Sequence, residues 1–528
     1  MNTTTHSILT WSLLALLSCL GVVRAADAAP APVKKGDIVY RESFTEEKEF
    51  LARWKDPKGG AKITKDGLFV EQTPAQLPGD HAVTLKLPVE NLRGADVYIT
   101  VMAKAEGLSK KLQPWNGVKC RFLVKSAFGD PSAAMANVED NTYAQATTPD
   151  GDFGWMKLGF ATSISRNATA IDFMLGLEQV SGKVWFKDVQ VKVLDVTPEP
   201  PKVAPTGPVY KGHKLSGLRG VEIRSAVSEE DLRVLAEEWN VNVVRWQIGE
   251  SIYREGLETK HYDAILQHEL EQLDRVIPLC RKNRLYMVIT LQSLSKRLFV
   301  SPVNQEKLLS VWRMLAKRYK NEPVIWAYDI VNEPNQNTWQ EGSLLWNDLV
   351  QKLCEEIRKI DPDKPLIIET DLMNIPETFA TIRPVTVPGV IYSLHMYNPG
   401  FFTHNRVWDK QQTIVTYPGI IDGVKWDKQQ IERNLAPVIA FQKTYGVQIF
   451  VGEFGAIRWA PGAGQWVNDC IEVFEKYGWD WTFHSYREWH GWSFEHDADP
   501  AHTAPPKERT ANEKMLRGWF SKNQRPTW

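Results

Sequence analysis

The hydrophobic pattern of this chain changes character along its length. Between residues 36 and 195, apolar and polar positions alternate over short runs broken by Gly, Pro, Asn and Asp. Ala95-Asp-Val-Tyr-Ile-Thr-Val-Met-Ala103, Lys119-Cys-Arg-Phe-Leu-Val124 and Gly182-Lys-Val-Trp-Phe-Lys-Asp-Val-Gln-Val-Lys-Val-Leu194 show it most clearly. A period of two is that of a strand with one face buried, and no long amphipathic helix interrupts the series. This part is expected to form an all-β, jelly-roll-like antiparallel sandwich. Residues 196–214 lose apolar periodicity and gather Pro198, Pro200, Pro201, Pro205 and Pro208, the pattern of a stiff, extended linker.

From residue 215 to 526, short apolar runs alternate with helical patterns. Strands are predicted at Leu215–Ile223, Asn242–Arg245, Leu285–Leu291, Val324–Asn332, Leu366–Thr370, Val390–His395, Ile449–Glu453 and Asp480–His484. Helices are predicted from a capping box at Ser228 to Trp239, and over 261–283, 306–320, 346–360 and 511–521. Eight strand–helix repeats over this length predict an α/β fold, a (β/α)8 TIM barrel. A doubly wound open sheet is the alternative, but no Gly-rich phosphate turn follows any strand.

Composition narrows the function classes. Lys plus Arg total 63 against 64 Asp plus Glu, which leaves no net field to draw nucleic acid or an anionic membrane. The 21 Trp are a surplus that suits stacking on the apolar faces of sugar rings, although most are expected in the core. The apolar stretch Ile8–Val23, followed by small residues near Ala25, reads as a secretory signal over residues 1–25, too short for a membrane span. The absence of Lys and Arg before it weakens that pattern, and lipidation at Cys19 is the alternative. The protein is expected to be secreted. Cys120, Cys280, Cys354 and Cys470 have no metal-ligand spacing and are expected as buried thiols.

Two apolar runs stop at a glutamate: Val324-Ile-Trp-Ala-Tyr-Asp-Ile-Val-Asn332-Glu333-Pro334 and Gln448-Ile-Phe-Val-Gly-Glu453-Phe-Gly455. A parallel barrel presents its reactive groups where strands end, and two carboxylates across one cleft are the minimum for cleaving a glycosidic bond. Arg245 ends strand two and can hold a carboxylate ionised, while His395 and Tyr397 at strand six supply donors beside strand seven. No metal or organic cofactor is needed for such chemistry.

In these residues the region resembles the family 5 glycoside hydrolases, the cellulase family. The resemblance implies that Glu333 is the general acid/base and Glu453 the nucleophile of a retaining β-glycosidase. It implies further that Asn332 contacts the sugar 2-hydroxyl, that Arg245, His395 and Tyr397 complete the site, and that Trp489 lies under the sugar ring. Trp481 competes for that place but lies early on its strand. The family's strand-three histidine is replaced here, in Thr290-Leu-Gln292-Ser293, by Gln292, which hydrogen-bonds but does not titrate near neutral pH. Glu488 has no assigned role. The N-terminal sandwich resembles a carbohydrate-binding module, most of all in Lys183-Val-Trp-Phe-Lys-Asp-Val189. The expected partner is a carbohydrate substrate, a β-glucan or β-mannan, with no nucleic acid and no membrane span. The rival readings are an exo-acting barrel glycosidase on small glycosides and a non-catalytic glycan-binding protein. In the loop Asn398–Trp426, the aromatics Phe401, Phe402, Trp408 and Tyr417 either line sugar subsites or pack the loop onto the barrel.

Overall fold

The structure, a computed structural model, describes residues 32–111, 113, 115–128, 138–196, 208–249, 262–292, 301–336, 339–407 and 412–528. The expected signal (1–25), residues 197–207 of the expected linker, and Trp408 lie outside the described residues.

The alternating runs form two antiparallel sheets, one of six strands and one of five. Their inward residues, among them Val97, Ile99, Val101, Phe122, Phe160, Phe173 and Val191, make one core. The last strand, Gly182–Val196, is the longest. Val184 and Phe186 point inward, but so do Val189, Val191 and Val193, at positions of opposite parity. The register shift between Lys187 and Gln190 supplies the extra residue, with Asp188 in a left-handed conformation at φ 53°. This bulge keeps both halves facing the core, which simple alternation did not predict.

The second half is a closed barrel of eight parallel strands. They run Arg219–Ile223, Val243–Ile248, Tyr286–Gln292, Ile325–Asn332, Leu366–Ile368, Val390–Met396, Ile449–Phe454 and Asp480–Phe483, and are called barrel strands one to eight below. Strand four is buried at every position, as expected of a strand covered on both faces. The helices Tyr262–Lys282, Pro302–Tyr319, Trp346–Arg358 and Ala511–Phe520 match the predicted ones within a few residues. At Ser228 the hydroxyl accepts from Asp231 N at 3.0 Å, and the helix it starts widens into a π-turn at Val234–Glu238 before Trp239. Cys280, Cys354 and Cys470 sit on helices, Cys120 on a sandwich strand, and all four are buried free thiols. No helix among the described residues is long and apolar enough to cross a membrane.

The described parts of the long loop after strand six pack two of their aromatics onto the barrel. Phe402 and Tyr417 are buried, and the Tyr417 hydroxyl donates to Asp469 Oδ2 at 2.6 Å, while Phe401 points to solvent. The residues Gly419–Ile421 and Val424–Trp426 close the loop as a hairpin.

Sandwich and barrel share a small apolar seam of Ala161, Trp339 and Leu345, edged by Tyr98 and Leu194. Trp339 meets Tyr98 edge-on with ring centroids 5.0 Å apart. Removing a buried indole leaves a cavity costing about 3 kcal/mol or more. Trp339→Ala is therefore expected to split calorimetric unfolding into separate sandwich and barrel transitions, and one transition at an unchanged Tm would contradict the coupling.

A carboxylate-rich cleft at the C-terminal face of the barrel

Each barrel strand brings at least one polar side chain to the same end of the barrel. Strand one contributes Glu222, strand two Arg245 and Gln247, strand three Gln292, and strand four Asp329 and Asn332 with Glu333 just after it. Glu369 follows strand five, His395 and Tyr397 end strand six, Glu453 ends strand seven, and His484 follows strand eight. Residues two apart on a strand share a face, which is why Arg245 and Gln247 point inward together.

Arg245 is fully buried and its donors are all engaged. Nε donates to Asp329 Oδ2 at 3.0 Å; Nη1 donates to Glu222 Oε2 at 2.9 Å and Glu453 Oε1 at 2.8 Å. Nη2 donates to Asn332 Oδ1 at 2.7 Å and Glu369 Oε1 at 2.9 Å. The guanidinium thus ties strands one, two, four and seven to the residue after strand five. Gln247 Nε2 adds a second donor to Glu453 Oε1 at 2.8 Å, and the Tyr397 hydroxyl donates to Glu453 Oε2 at 2.9 Å.

The two predicted carboxylates have opposite environments. Burial alone would push Glu453 up, but the His395, Arg245 and His484 cations and the Tyr397 hydroxyl outweigh it and hold the carboxyl at about 2. Glu333 is pushed up, chiefly by desolvation and further by the Glu453 charge, against the opposing pull of His395. Its Oε1 lies 3.0 Å from His395 Nδ1, and its side chain keeps 26% exposure toward the cleft. Burial would lower His395, yet Glu369 and Glu453 hold it well above the ordinary imidazole range, as a cation. One oxygen of Glu333, one of Glu453 and a ring nitrogen of His395 all lie within 4.8 Å of one another.

The described lining of the cleft, about 530 Å³, includes Glu222, Gln247, Gln292, Asn332, Glu333, Glu453, His484, Trp489 and Trp492. This volume is that of a ligand pocket. Glu333, Glu453, Asn332, Gln292 and Trp489 line the cleft, and Arg245, His395 and Tyr397 lie against the two glutamates. Gln292 lies beside Asn332 in the strand register. Trp489 stands on the wall, edge-on to Trp459 at 5.6 Å, but the residue that directly follows strand eight is His484. Trp481 is wholly buried and donates to Glu475 Oε1 at 3.0 Å. Glu488 now has a place: its Oε2 lies 2.6 Å from His484 Nε2, and its Oε1 accepts from Arg224 Nη2 at 2.5 Å.

The family model for cellulase, glycosyl hydrolase family 5, matches residues 206–497. The chain belongs to this family. It is a glycoside hydrolase. Endoglucanase C of Acetivibrio thermocellus is 28% identical over 243 residues, covering 39% of this chain and 70% of its own. Cellodextrinase A of Ruminococcus flavefaciens is 24% identical over 271 residues, 48% of this chain and 76% of its own. Among solved structures, a hyperthermophilic endo-beta-1,4-glucanase in complex with substrate covers 57% of this chain and 96% of that chain, at 23% identity and a TM-score of 0.47.

Several residues of this family 5 site escaped the sequence reading: Glu222, Gln247, Asp329, Glu369 and His484. Glu369 and His484 had a usable signal, since each closes a predicted strand. Asp329 and Glu222 lie inside apolar runs, and only their convergence on Arg245 distinguishes them. Glu222 is pushed up by burial and then by Glu453, and Asp329 by burial and then by Glu369. Two groups, Glu222/His484/Glu488 and Glu333/His395/Glu453, have the donor types of a cation site, but Arg224 and Arg245 already lie against their carboxylates.

Burial would lower His484, but the Glu488 charge and hydrogen bond, with Glu222 and Glu453, raise it to about 9 from 6.5. A raised imidazole stabilises the fold fully below its unfolded value and loses that contribution as pH rises through the folded one. The Tm advantage of wild type over His484→Asn is expected to be largest below about pH 6.5 and to shrink toward about pH 9. A gap independent of pH would show that His484 does not carry that charge.

Proposed function

We propose that the protein is a secreted, retaining β-glycosidase that hydrolyses β-glucan polysaccharide by double displacement. The observation that carries the mechanism is the approach of Glu333 and Glu453 oxygens within 4.8 Å. Retaining glycosidases hold their carboxyl groups about 5–5.5 Å apart, whereas inverting ones leave about 6.5–9.5 Å for a water. Glu453, held ionised, attacks the anomeric carbon while Glu333, whose carboxyl burial pushes toward its protonated form, gives its proton to the departing glycosidic oxygen. Glu333 then takes a proton from water, which breaks the glycosyl–Glu453 ester and releases the sugar. In this reading Asn332 contacts the 2-hydroxyl, and Gln292, Trp489 and Trp492, which line the same cleft, contact the rest of the ring. The names of the relatives, endoglucanase and cellodextrinase, support glucan over mannan. Secretion rests on the pattern of residues 1–25.

The decisive experiment is release of reducing ends from a panel of soluble β-glucans and β-mannans, with proton NMR of the first product. The β-anomer should appear first. Glu453→Gln should reduce hydrolysis to background, and Glu333→Gln should lower it by about 10²–10⁴-fold. An α-anomer first product would overturn the retaining mechanism, and full activity in Glu453→Gln would overturn the nucleophile. Background release by wild type across the panel would favour the glycan-binding rival.

We assign the sandwich a polymer-holding role on its five-stranded sheet. Trp115 and Tyr143 are exposed by 54% and 51%; Tyr143 shares its strand face with Gln145 and Arg121, and the Trp115 carbonyl accepts from Gln145 Nε2 at 3.5 Å. Gln145 Oε1 accepts from Lys119 Nζ at 3.1 Å, and the Arg121 guanidinium lies 5.3 Å from the Tyr143 ring centre. Exposed rings beside hydrogen-bonding groups suit a sugar chain. Trp115→Ala is expected to weaken retention on insoluble β-glucan severalfold without changing kcat on short soluble substrates. Unchanged retention would remove the role.

A further inference from the structure

Glu369 is fully buried directly after strand five and lies between the two halves of the catalytic machinery. Its Oε2 accepts from the main-chain N of Glu333 at 2.6 Å. Its Oε1 accepts from Arg245 Nη2 at 2.9 Å and lies 3.3 Å from His395 Nε2. The other nitrogen of that ring, Nδ1, is 3.0 Å from Glu333 Oε1. Glu369 therefore reaches Glu333 twice, once at the backbone and once through the imidazole. The charged groups facing it are Arg245 from strand two, Asp329 from strand four, His395 from strand six and, across Arg245, Glu453 from strand seven.

The backbone contact has a specific task. Glu333 sits at φ 49°, in the left-handed region that residues with a Cβ rarely occupy. Such a conformation persists only where its surroundings hold it, and strand four has already ended at Asn332. The Glu369 carboxyl oxygen that accepts from the Glu333 N–H at 2.6 Å ties this turn to the end of strand five. His395 is fixed in parallel: with Glu369 beside one nitrogen, the other is turned to the Glu333 carboxyl.

We propose that Glu369 is a positioning residue for the acid/base: it holds the Glu333 main chain in the left-handed turn that aims its carboxyl into the cleft, and it orients the His395 ring that sets that carboxyl's direction. This rests on reading Glu333 as the acid/base.

The test uses leaving-group dependence. Protonation by Glu333 matters for a sugar leaving group and little for 2,4-dinitrophenolate, which departs unprotonated. Wild type, Glu333→Ala, Glu369→Gln and Glu369→Asp are assayed on soluble β-glucan and on 2,4-dinitrophenyl β-cellobioside, reading kcat/KM for the glycosylation step. Glu369→Gln places an amide where three donors converge. It is expected to lose about 100-fold on glucan but less than about fivefold on the dinitrophenyl substrate, the pattern of Glu333→Ala at smaller amplitude. Should the glutamine variant fail to fold, Glu369→Asp keeps the charge, shortens the reach, and is expected to show the same selectivity. Equal losses on both substrates would overturn the proposal, because Glu369 would then act through Arg245 and the nucleophile. Undiminished glucan activity would overturn it as well. If Glu333→Ala itself shows no selectivity, the acid/base reading fails first and this proposal falls with it. Selective loss in Glu333→Ala without it in the Glu369 variants overturns this proposal alone.

Discussion

The Arg245 guanidinium is the interaction on which the rest of the catalytic end depends. A buried arginine has no second chance at solvation, so each of its donors must find an acceptor. Here they find Asp329, Glu222, Glu453, Asn332 and Glu369. Four of these acceptors are carboxylates that would repel one another without the cation. The hub therefore fixes the mutual positions of the strand ends. It also sets a constraint, because Arg245 with His395 and His484 cannot neutralise every nearby acid. Glu222 and Asp329 respond by shifting toward their protonated forms, while Glu453, with the best donors, stays ionised.

That imbalance sets the two glutamates apart. Glu453 collects Arg245, Gln247 and Tyr397, whereas Glu333 has the imidazole of His395 and a main-chain anchor. Two identical side chains are driven in opposite directions, one toward the ionised and one toward the protonated form, through their neighbours alone. The wall beyond them, from Arg224 through Glu488 to His484, is ionic where it leaves strand eight, and aromatic only further out at Trp489 and Trp492. In the sandwich, by contrast, the Trp115 and Tyr143 rings stand in the open. The two halves thus expose different surfaces, and the seam at Trp339 keeps them in contact.

Much of this was legible in the chain. Period-two alternation marked the sandwich, and continuous apolar runs between helical patterns marked all eight barrel strands, because burial on one face or on both leaves distinct periodicities. Helix ends such as Ser228 followed from capping chemistry. Glu333 and Glu453 stood out because a charge that ends a buried strand has few structural uses. The bulge at Asp188 left no periodic trace until its register was seen, and the aromatics of the strand-six loop gave no sign of whether they faced sugar or core.

By itself, then, the sequence determined the order of elements, the closed parallel barrel after an antiparallel sandwich, and the pair of glutamates at strand ends. These follow from short-range physics: which faces are apolar, where turns occur, and which residues cannot be buried without purpose. Only the tertiary structure decided which of the two carboxyls is pushed down and which up, that Glu222, Asp329 and Glu369 converge on one guanidinium, and that His484 takes the place directly after strand eight. Those outcomes depend on distances between side chains from different strands, far apart in the chain. Electrostatic energies vary with those distances and with the local dielectric, neither of which any linear pattern encodes.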